Sequence, residues 1–527
     1  MKPEILNKIG QKLVIGFPGT TVSRELEELI YQYRFGNIIL FRENLVDEGQ
    51  TKQLIKDLNR IIISATGHRP LISIDQEGGS VTRLPVDSLN IPGQMALACA
   101  RDLTAVEDFN YMNGRILLDF GFSLNLAPVL DINSEADNPI IGSRSFGDLP
   151  EIVELYGKAA IAGLKRSGIL CSAKHFPGHG DTKVDSHLGL PVVDFPRNDL
   201  NHRELLPFKM AVREKIPAIM TTHILFPQVE EKRIPATMSR TILTDILRKE
   251  MKYEGLIISD CMEMKAIQDF YGTAYGVKEA FKAGVDLCFV SHTPSLAVES
   301  INLVYKSVLS GEICQDELTQ SLNRIYQAKS KVNRFIKPID ESEKTLYSTS
   351  IEHYMPKTFV FKNASSDDTS NSLTDFPINS HTVFIGPKPF QTSNVTNINN
   401  GELSIAKRLA LTFGATDMLF DGRNINDTDI QNIVKTAEEK SSVVLCLYNA
   451  YMYEGQKALW KALRKIRKPM LLVALRSPYD FMFLEKREQG ICIFEYTEKA
   501  IAALISCLKG ENIPSGTVPV NLPYRTL

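Results

Sequence analysis

The sequence predicts an α/β fold: a (β/α)8 TIM barrel followed by a smaller α/β sandwich domain. Three observations point there. Eight short apolar runs alternate with amphipathic segments over the first two-thirds of the chain. Polar residues end four of those runs. The alternation then resumes after a charged break. Strands are expected at 13–17, 37–41, 70–75, 122–131, 170–175, 218–223, 256–260 and 287–291, each an apolar run bounded by turn residues. Helical patterns fall between them, at 23–33, 48–65, 150–166 and 241–251. A doubly wound open sheet is the structural alternative. The barrel makes the sharper statement about function, because active sites gather at the C-terminal ends of barrel strands. Asp75 ends the third run, Lys174 and His175 the fifth, His223 the sixth and Asp260 the seventh. On a barrel all of them converge on one face.

The barrel is expected over residues 1–337. Residues 338–358, which begin in the charged stretch Lys337-Pro-Ile-Asp-Glu-Ser-Glu-Lys344, are expected to link it to a sandwich domain at 359–527. A polar tract at 363–372 suits a surface loop. Strand-like runs recur at 381–386, 418–421, 443–448, 470–475 and 491–496, with helical patterns at 428–438 and 498–508. No Gly-x-Gly-x-x-Gly or phosphate loop occurs among them, and no cofactor is expected.

The 527 residues are 43% hydrophobic and 23% charged, as in an ordinary soluble globular protein. A formal net charge of -2 offers nucleic acid or an anionic membrane no electrostatic footprint. No apolar run is long enough to span a bilayer, and the first residues lack the apolar core of a signal peptide. The 8 cysteines contain no Cys-x-x-Cys pair and mostly sit in apolar runs, which fits reduced thiols in the cytoplasm. The sequence leaves the oligomeric state open.

The stretch Lys174-His175-Phe176-Pro177-Gly178-His179-Gly180-Asp181, followed by Asp185-Ser186-His187, holds three of the chain's nine histidines. It follows a strand-like run and is rich in glycine, so it suits a reaction site better than a core. A metal-binding loop is the plainer alternative. His175 and His179 have the spacing of zinc ligands on a helix, but Pro177 and Gly178 between them break any helix. No metal is expected.

These residues resemble glycoside hydrolase family 3. Ile74-Asp75-Gln76-Glu77-Gly78-Gly79, with Val81 and Arg83, is similar to the family's sugar-binding strand end. The Lys174–His187 stretch is similar to the signature of the β-N-acetylglucosaminidase (β-N-acetylhexosaminidase) branch. Ile258-Ser259-Asp260, with Met264 downstream, resembles the nucleophile segment. Asn138-Pro139 and Gly142-Ser143-Arg144-Ser145-Phe146-Gly147 resemble the arginine loop after the fourth strand. Ser477-Pro478-Tyr479-Asp480 and Pro519-Val520-Asn521-Leu522-Pro523 resemble the family's C-terminal domain more weakly. Where the family often has a second Asp after the nucleophile, this chain has Cys261.

The resemblance implies a retaining exo-β-N-acetylglucosaminidase acting on GlcNAc-terminated saccharides, muropeptides of cell-wall recycling first among them. Asp260 would be the nucleophile, with Ser259 helping to hold it. His187, oriented by Asp185, would be the acid/base, since imidazole titrates near neutrality. Asp75, Lys174 and His175 suit sugar hydroxyls; Arg83 and Arg144 would fork onto ring oxygens or brace Asp75. His179 and Asp181 would stabilise the loop, and His223 would stand just behind the site. Two other readings share the scaffold: a β-N-acetylglucosaminide phosphorylase, in which phosphate replaces water, and a non-catalytic sugar-binding barrel.

Overall fold

The computed structural model describes residues 2–182, 189–333, 337–363, 373–389, 404–485, 488–525 and 527. Eight parallel strands close into a barrel: β1 (Leu13–Ile15), β2 (Asn37–Ile39), β3 (Ile72–Ile74), β4 (Leu124–Asn125), β5 (Leu170–Phe176), β6 (Ala218–Thr221), β7 (Leu256–Cys261) and β8 (Leu287–Val290), with β8 pairing back to β1. The barrel expected from the sequence is the one observed. Its strands are apolar on both faces because helices cover the outside and side chains fill the inside. Ser23 starts the helix Arg24–Tyr33 by accepting the Leu26 N–H at 3.1 Å.

The strands are shorter than their apolar runs, and β4 most of all. Pro128 has no N–H to give a ladder. The chain beyond β4 instead stays extended, with Leu130 N–H donating to the Lys174 carbonyl at 2.7 Å. Register breaks in two places, between Ala173 and Phe176 on β5 and between Ile258 and Cys261 on β7. Lys174 and His175 lie in the first break, Ser259 and Asp260 in the second. Such irregularities re-aim side chains next to functional sites.

The opposite end of the barrel is fastened by charge. Asp286, fully buried just before β8, accepts from Arg324 Nε and Nη2 at 3.0 and 2.9 Å, from Ser321 Oγ at 2.7 Å, from the Ile257 N–H at 2.9 Å and from Arg248. Lys12, just before β1, lies in the same cluster and donates to the Val285 carbonyl at 2.8 Å.

The segment expected as a linker contains an 18-residue helix, Glu341–Thr358, capped by Asp340. It leads into an edge strand, β9 (Val360–Asn363), outside the expected strand-like runs. The remaining strands are β10 (Thr382–Pro387), β11 (Thr416–Phe420), β12 (Ser442–Leu447), β13 (Met470–Ala474) and β14 (Gln489–Cys492). The sheet order is β11-β10-β12-β13-β14-β9, with β9 alone antiparallel. Most of the tract 363–372 lies outside the described residues. No described helix is long and apolar enough to cross a membrane.

The two domains share buried surface. Met95, Ala96 and Cys99 of the barrel pack into one apolar cluster with Tyr479, Met482 and Phe494. The buried Asn133 donates to Tyr479 Oη at 2.7 Å, and the Gly93 N–H to Glu495 Oε2 at 2.8 Å. The C-terminal segment runs back across the barrel, where Asn521 meets Asp148 at 2.7 Å and Arg525 meets Asp137 at 3.0 Å.

Burial pushes the Glu495 carboxyl up to about 7, against the Gly93 N–H and the Thr497 hydroxyl, which favour its charged form. An acid raised in the folded state stabilises the fold at low pH and loses that contribution as pH rises through its folded pKa. The melting temperature of the wild type should therefore fall relative to Glu495→Gln between about pH 5 and about pH 8. Parallel melting curves for the two proteins across that range would show that Glu495 does not titrate in the interface.

Candidate active site

At the exit of β3 the chain turns sharply through Gly78 and Gly79, with φ of +97° and +55°. A Cβ on Gly79 would lie 2.8 Å from the Gly93 Cα and 2.9 Å from Glu495 Oε2, so only glycine fits beneath the second domain. The turn drives Glu77 into the barrel mouth. Its buried carboxylate takes a bidentate fork from Arg144, Nε to Oε2 at 2.9 Å and Nη2 to Oε1 at 2.7 Å, and an ammonium from Lys174 at 2.7 Å. Lys174 also reaches Asp75 Oδ1 at 2.8 Å. Burial alone would raise the Glu77 carboxyl, but Arg144 and Lys174 outweigh it and hold it far below the usual carboxylate range. The same carboxylates keep Lys174 firmly charged despite its burial.

Arg144 thus forks onto Glu77 and not onto Asp75, which corrects the expectation that it braces Asp75. Asp75 keeps a side chain that is 20% exposed, which leaves carboxylate oxygen for a ligand.

His175 is held from behind by Asp131, which is fully buried. Oδ2 of Asp131 accepts from His175 Nδ1 at 2.6 Å, and Oδ1 accepts the backbone N–H groups of His175 and His179 at 3.1 and 2.8 Å. With Nδ1 occupied, Nε2 is the ring atom left for the cavity that His175 lines. Burial opposes the Asp131 charge, but His175 outweighs it and lowers the carboxyl. Burial, with His175 beside it, pushes the His179 imidazole down to about 4, so His179 is neutral at neutral pH. Asn138 completes the mount by donating to the carbonyls of His179 and Gly180 at 2.9 and 3.1 Å.

On β7 the alternation of side chains separates neighbours. Asp260 faces the cavity, while the buried Ser259 turns away and accepts the Phe289 N–H at 2.9 Å. Ser259 is therefore not the expected support of the Asp260 carboxylate. That carboxylate takes the Cys261 N–H on Oδ1 at 2.7 Å. His223 Nε2 donates to the Cys261 carbonyl at 2.9 Å, and its Nδ1 meets Thr237 Oγ1 at 2.9 Å. His223 thus fixes the backbone beside Asp260, and it is not among the residues lining the cavity. Burial pushes the Cys261 thiol up to about 12, so no second charge stands next to Asp260 in the chain.

The cavity at this end of the barrel holds about 540 Å³. Asp75, Arg83, Arg144, Lys174, His175 and Asp260 all line it; of the strand-end residues expected on the barrel's C-terminal face, His223 alone does not. Phe41 and His292, stacked at 4.7 Å between ring centres, stand with Arg42, Glu43, Glu263 and Lys265 at the same cavity. Asp185 and His187 lie outside the described residues. The structure adds Glu77 and Asp131. Glu77 was in view as part of the strand-end motif, and Asp131 as the last residue of the fourth apolar run, but neither had a visible partner.

The profile of the glycosyl hydrolase family 3 N-terminal domain matches residues 5–328. Beta-hexosaminidase A of Pseudoalteromonas piscicida is 34% identical over 336 residues, 59% of this chain; the chain spans 56% of that protein's length. A beta-hexosaminidase of Alkalilimnicola ehrlichii is 31% identical over 290 residues, 54% of this chain and 81% of its own. Among solved structures, a family 3 beta-N-acetylglucosaminidase from Paenibacillus sp. str. FPU-7 superposes with a TM-score of 0.90 at 31% identity, over 99% of each chain.

Glu77→Gln should be strongly destabilising. It preserves shape but takes from Arg144 the carboxylate it forks onto and leaves Lys174 paired with Asp75, and breaking a buried pair costs about 3–5 kcal/mol. A melting temperature equal to the wild type's would show that the cations are satisfied without Glu77.

Proposed function

The chain belongs to glycosyl hydrolase family 3, and on that premise we propose that it is a retaining exo-β-N-acetylglucosaminidase. The observation that carries the reading is the convergence of Asp260 with Asp75, Lys174 and His175 on one cavity of about 540 Å³. That volume suits one pyranose with the start of its aglycone, which favours removal of a terminal residue. The similar proteins named beta-hexosaminidase and beta-N-acetylglucosaminidase support the sugar specificity. We propose GlcNAc-terminated saccharides as the substrate class, with muropeptides of cell-wall recycling as their physiological source. The cysteines are all free, which supports a cytoplasmic setting.

Retention requires two steps. In the first, the Asp260 carboxylate attacks the anomeric carbon while the imidazolium of His187 gives its proton to the departing glycosidic oxygen. In the second, neutral His187 takes a proton from water, the oxygen attacks the anomeric carbon, and Asp260 leaves as carboxylate. Asp185 orients His187 and favours its protonated form. Asp75 and Lys174 hold hydroxyls of the bound ring, and His175 presents Nε2 to it. Among the described residues the carboxylates lining the cavity are Glu43, Asp75, Asp260 and Glu263. Asp75 is engaged by Lys174, and Glu263 accepts the His292 and Thr293 N–H groups at 2.7 and 3.2 Å.

Asp260→Asn should abolish turnover with the fold intact, and a 2-fluoro sugar should label Asp260 in the wild type. A label on any other carboxylate ends the assignment. Assays on p-nitrophenyl β-glycosides of GlcNAc, glucose and xylose, run with and without phosphate, complete the test. Free GlcNAc as the product in both cases means hydrolysis; GlcNAc-1-phosphate means phosphorolysis.

His187→Ala should slow a disaccharide by about 10²–10⁴-fold and p-nitrophenyl GlcNAc much less in its first step, because an activated phenolate leaves with little protonation. Azide should rescue the second step. Equal small losses on both substrates, without rescue, would exclude His187 as the acid/base.

A further inference from the structure

Charge is out of balance at the end of the barrel opposite the cavity. There Lys12, just before β1, and Asp286, just before β8, gather with Arg248 and Arg324. Asp286 spends both carboxylate oxygens on Arg248, Arg324, Ser321 and the Ile257 N–H. Lys12 has no carboxylate of its own among the described residues. Its ammonium donates to the Val285 carbonyl at 2.8 Å and to Ser321 Oγ, and lies 4.6 Å over the Phe281 ring. A pocket of about 300 Å³ opens on this cluster. Lys12, which is 3% exposed, lines it together with Arg248 and Arg324, whose side chains are 15% and 25% exposed. Arg240 and Lys249 stand at its rim, well exposed and paired with Glu317 and Asp245 at 2.6 and 2.8 Å. Among the described lining residues Glu317 is the one carboxylate. No residue of this pocket lines the active-site cavity.

The barrel mouth balances its buried charges, since Arg144 and Lys174 meet Glu77 and Asp75. At the opposite end Lys12, Arg248 and Arg324 share the single carboxylate of Asp286. Two positive charges are left uncompensated where screening is poor. Burial pulls the Lys12 ammonium down to about 8, and Arg324 and Arg248 pull the same way against Asp286. A cluster that served stability alone would do better with an apolar side chain in place of Lys12. Arg324 commits Nε and Nη2 to Asp286, which leaves Nη1 to donate elsewhere. Guanidinium and ammonium groups are the usual partners of phosphate oxygens. A phosphate group carries about -1.5 to -2 charges near pH 7, which matches what the cluster lacks.

We propose that this pocket is a binding site for a doubly charged oxyanion, inorganic phosphate or a phosphate monoester, separate from the active-site cavity. The anion sits against Arg324, Arg248 and Lys12, and Arg240 and Lys249 attract it from the rim. The same cluster ties the start of β7 to β8 through the Ile257 N–H and Asp286, and β1 to β8 through Lys12 and the Val285 carbonyl. Occupancy therefore stabilises the closure of the barrel.

The test titrates the full chain with inorganic phosphate at pH 7 and constant ionic strength, which keeps general screening fixed. Calorimetry should show one saturable site, and the melting temperature should rise with occupancy. Sulfate should replace phosphate, whereas chloride and acetate, with one charge each, should not. Arg324→Gln should weaken phosphate binding by about ten- to hundred-fold, the worth of a charge-assisted hydrogen bond. That variant also removes a partner of Asp286, so exposed positions carry the test if it does not fold. Arg240→Gln and Lys249→Gln should each weaken binding by up to about five-fold. Glu317→Gln removes the negative charge at the rim and should tighten binding by a similar factor, a gain that damage to the fold cannot imitate. Glucose 6-phosphate distinguishes the sources. Tighter binding than inorganic phosphate points to a monoester and weaker binding to the free ion, and either keeps the dianion site. The absence of both binding heat and a melting shift with phosphate would overturn the proposal. So would equal affinity in the wild type and all the rim variants, which would put the anion elsewhere, or equal stabilisation by chloride, which would reduce the effect to screening.

Discussion

Glu77 is a carboxylate removed from water inside the barrel mouth, and much of the site's geometry follows from its need for partners. A buried charge survives only when it is paired and hydrogen-bonded. Arg144 supplies a fork from the loop after β4, and Lys174 supplies an ammonium from β5. Three separate parts of the chain are thereby fixed relative to one another. Lys174 still reaches Asp75, so the pairing that stabilises the mouth also fixes one of the two groups best placed to hold a sugar. Specific binding and local stability draw on the same charges.

The second domain takes part in this constraint. Glu495 packs on the Gly78–Gly79 turn and accepts the Gly93 N–H, and Tyr479 receives Asn133 from the loop that leads to Arg144. The sandwich thus presses on both approaches to Glu77 without lining the cavity. Among the described residues the cavity is lined by barrel residues, as expected of a site made from strand ends. The likeness to the Paenibacillus enzyme over the whole chain shows that this two-domain arrangement is shared.

The strands β5 and β7 illustrate a second device. Both lose their regular register where they deliver functional side chains, Lys174 and His175 on one and Asp260 on the other. On β7 the backbone after the break is held by His223, and the N–H that follows Asp260 turns back onto its carboxylate. Cys261 contributes that N–H and a neutral thiol.

The sequence by itself determined the barrel, because eight buried strands must be apolar throughout and the helices between them must be amphipathic. It determined the helix Glu498–Leu508 to the residue, and it pointed to the strand ends where Asp75, Lys174, His175 and Asp260 stand. The charged stretch at 337–344 carried a linker's composition, yet a helix capped by Asp340 begins within it at Glu341. Edge strand β9 was hidden because its pairing partner β14 lies more than a hundred residues away. Only the tertiary structure decided which charge meets which. Arg144 could have braced Asp75 or Glu77, two residues apart on one strand end, and in the fold its fork meets the buried Glu77. Glu77 and Arg144 are 67 residues apart, Asp75 and Lys174 are 99 apart, and Asp131 lies 44 before His175. Local propensity is blind at such distances; burial, which leaves each of these charges no water to turn to, makes the match.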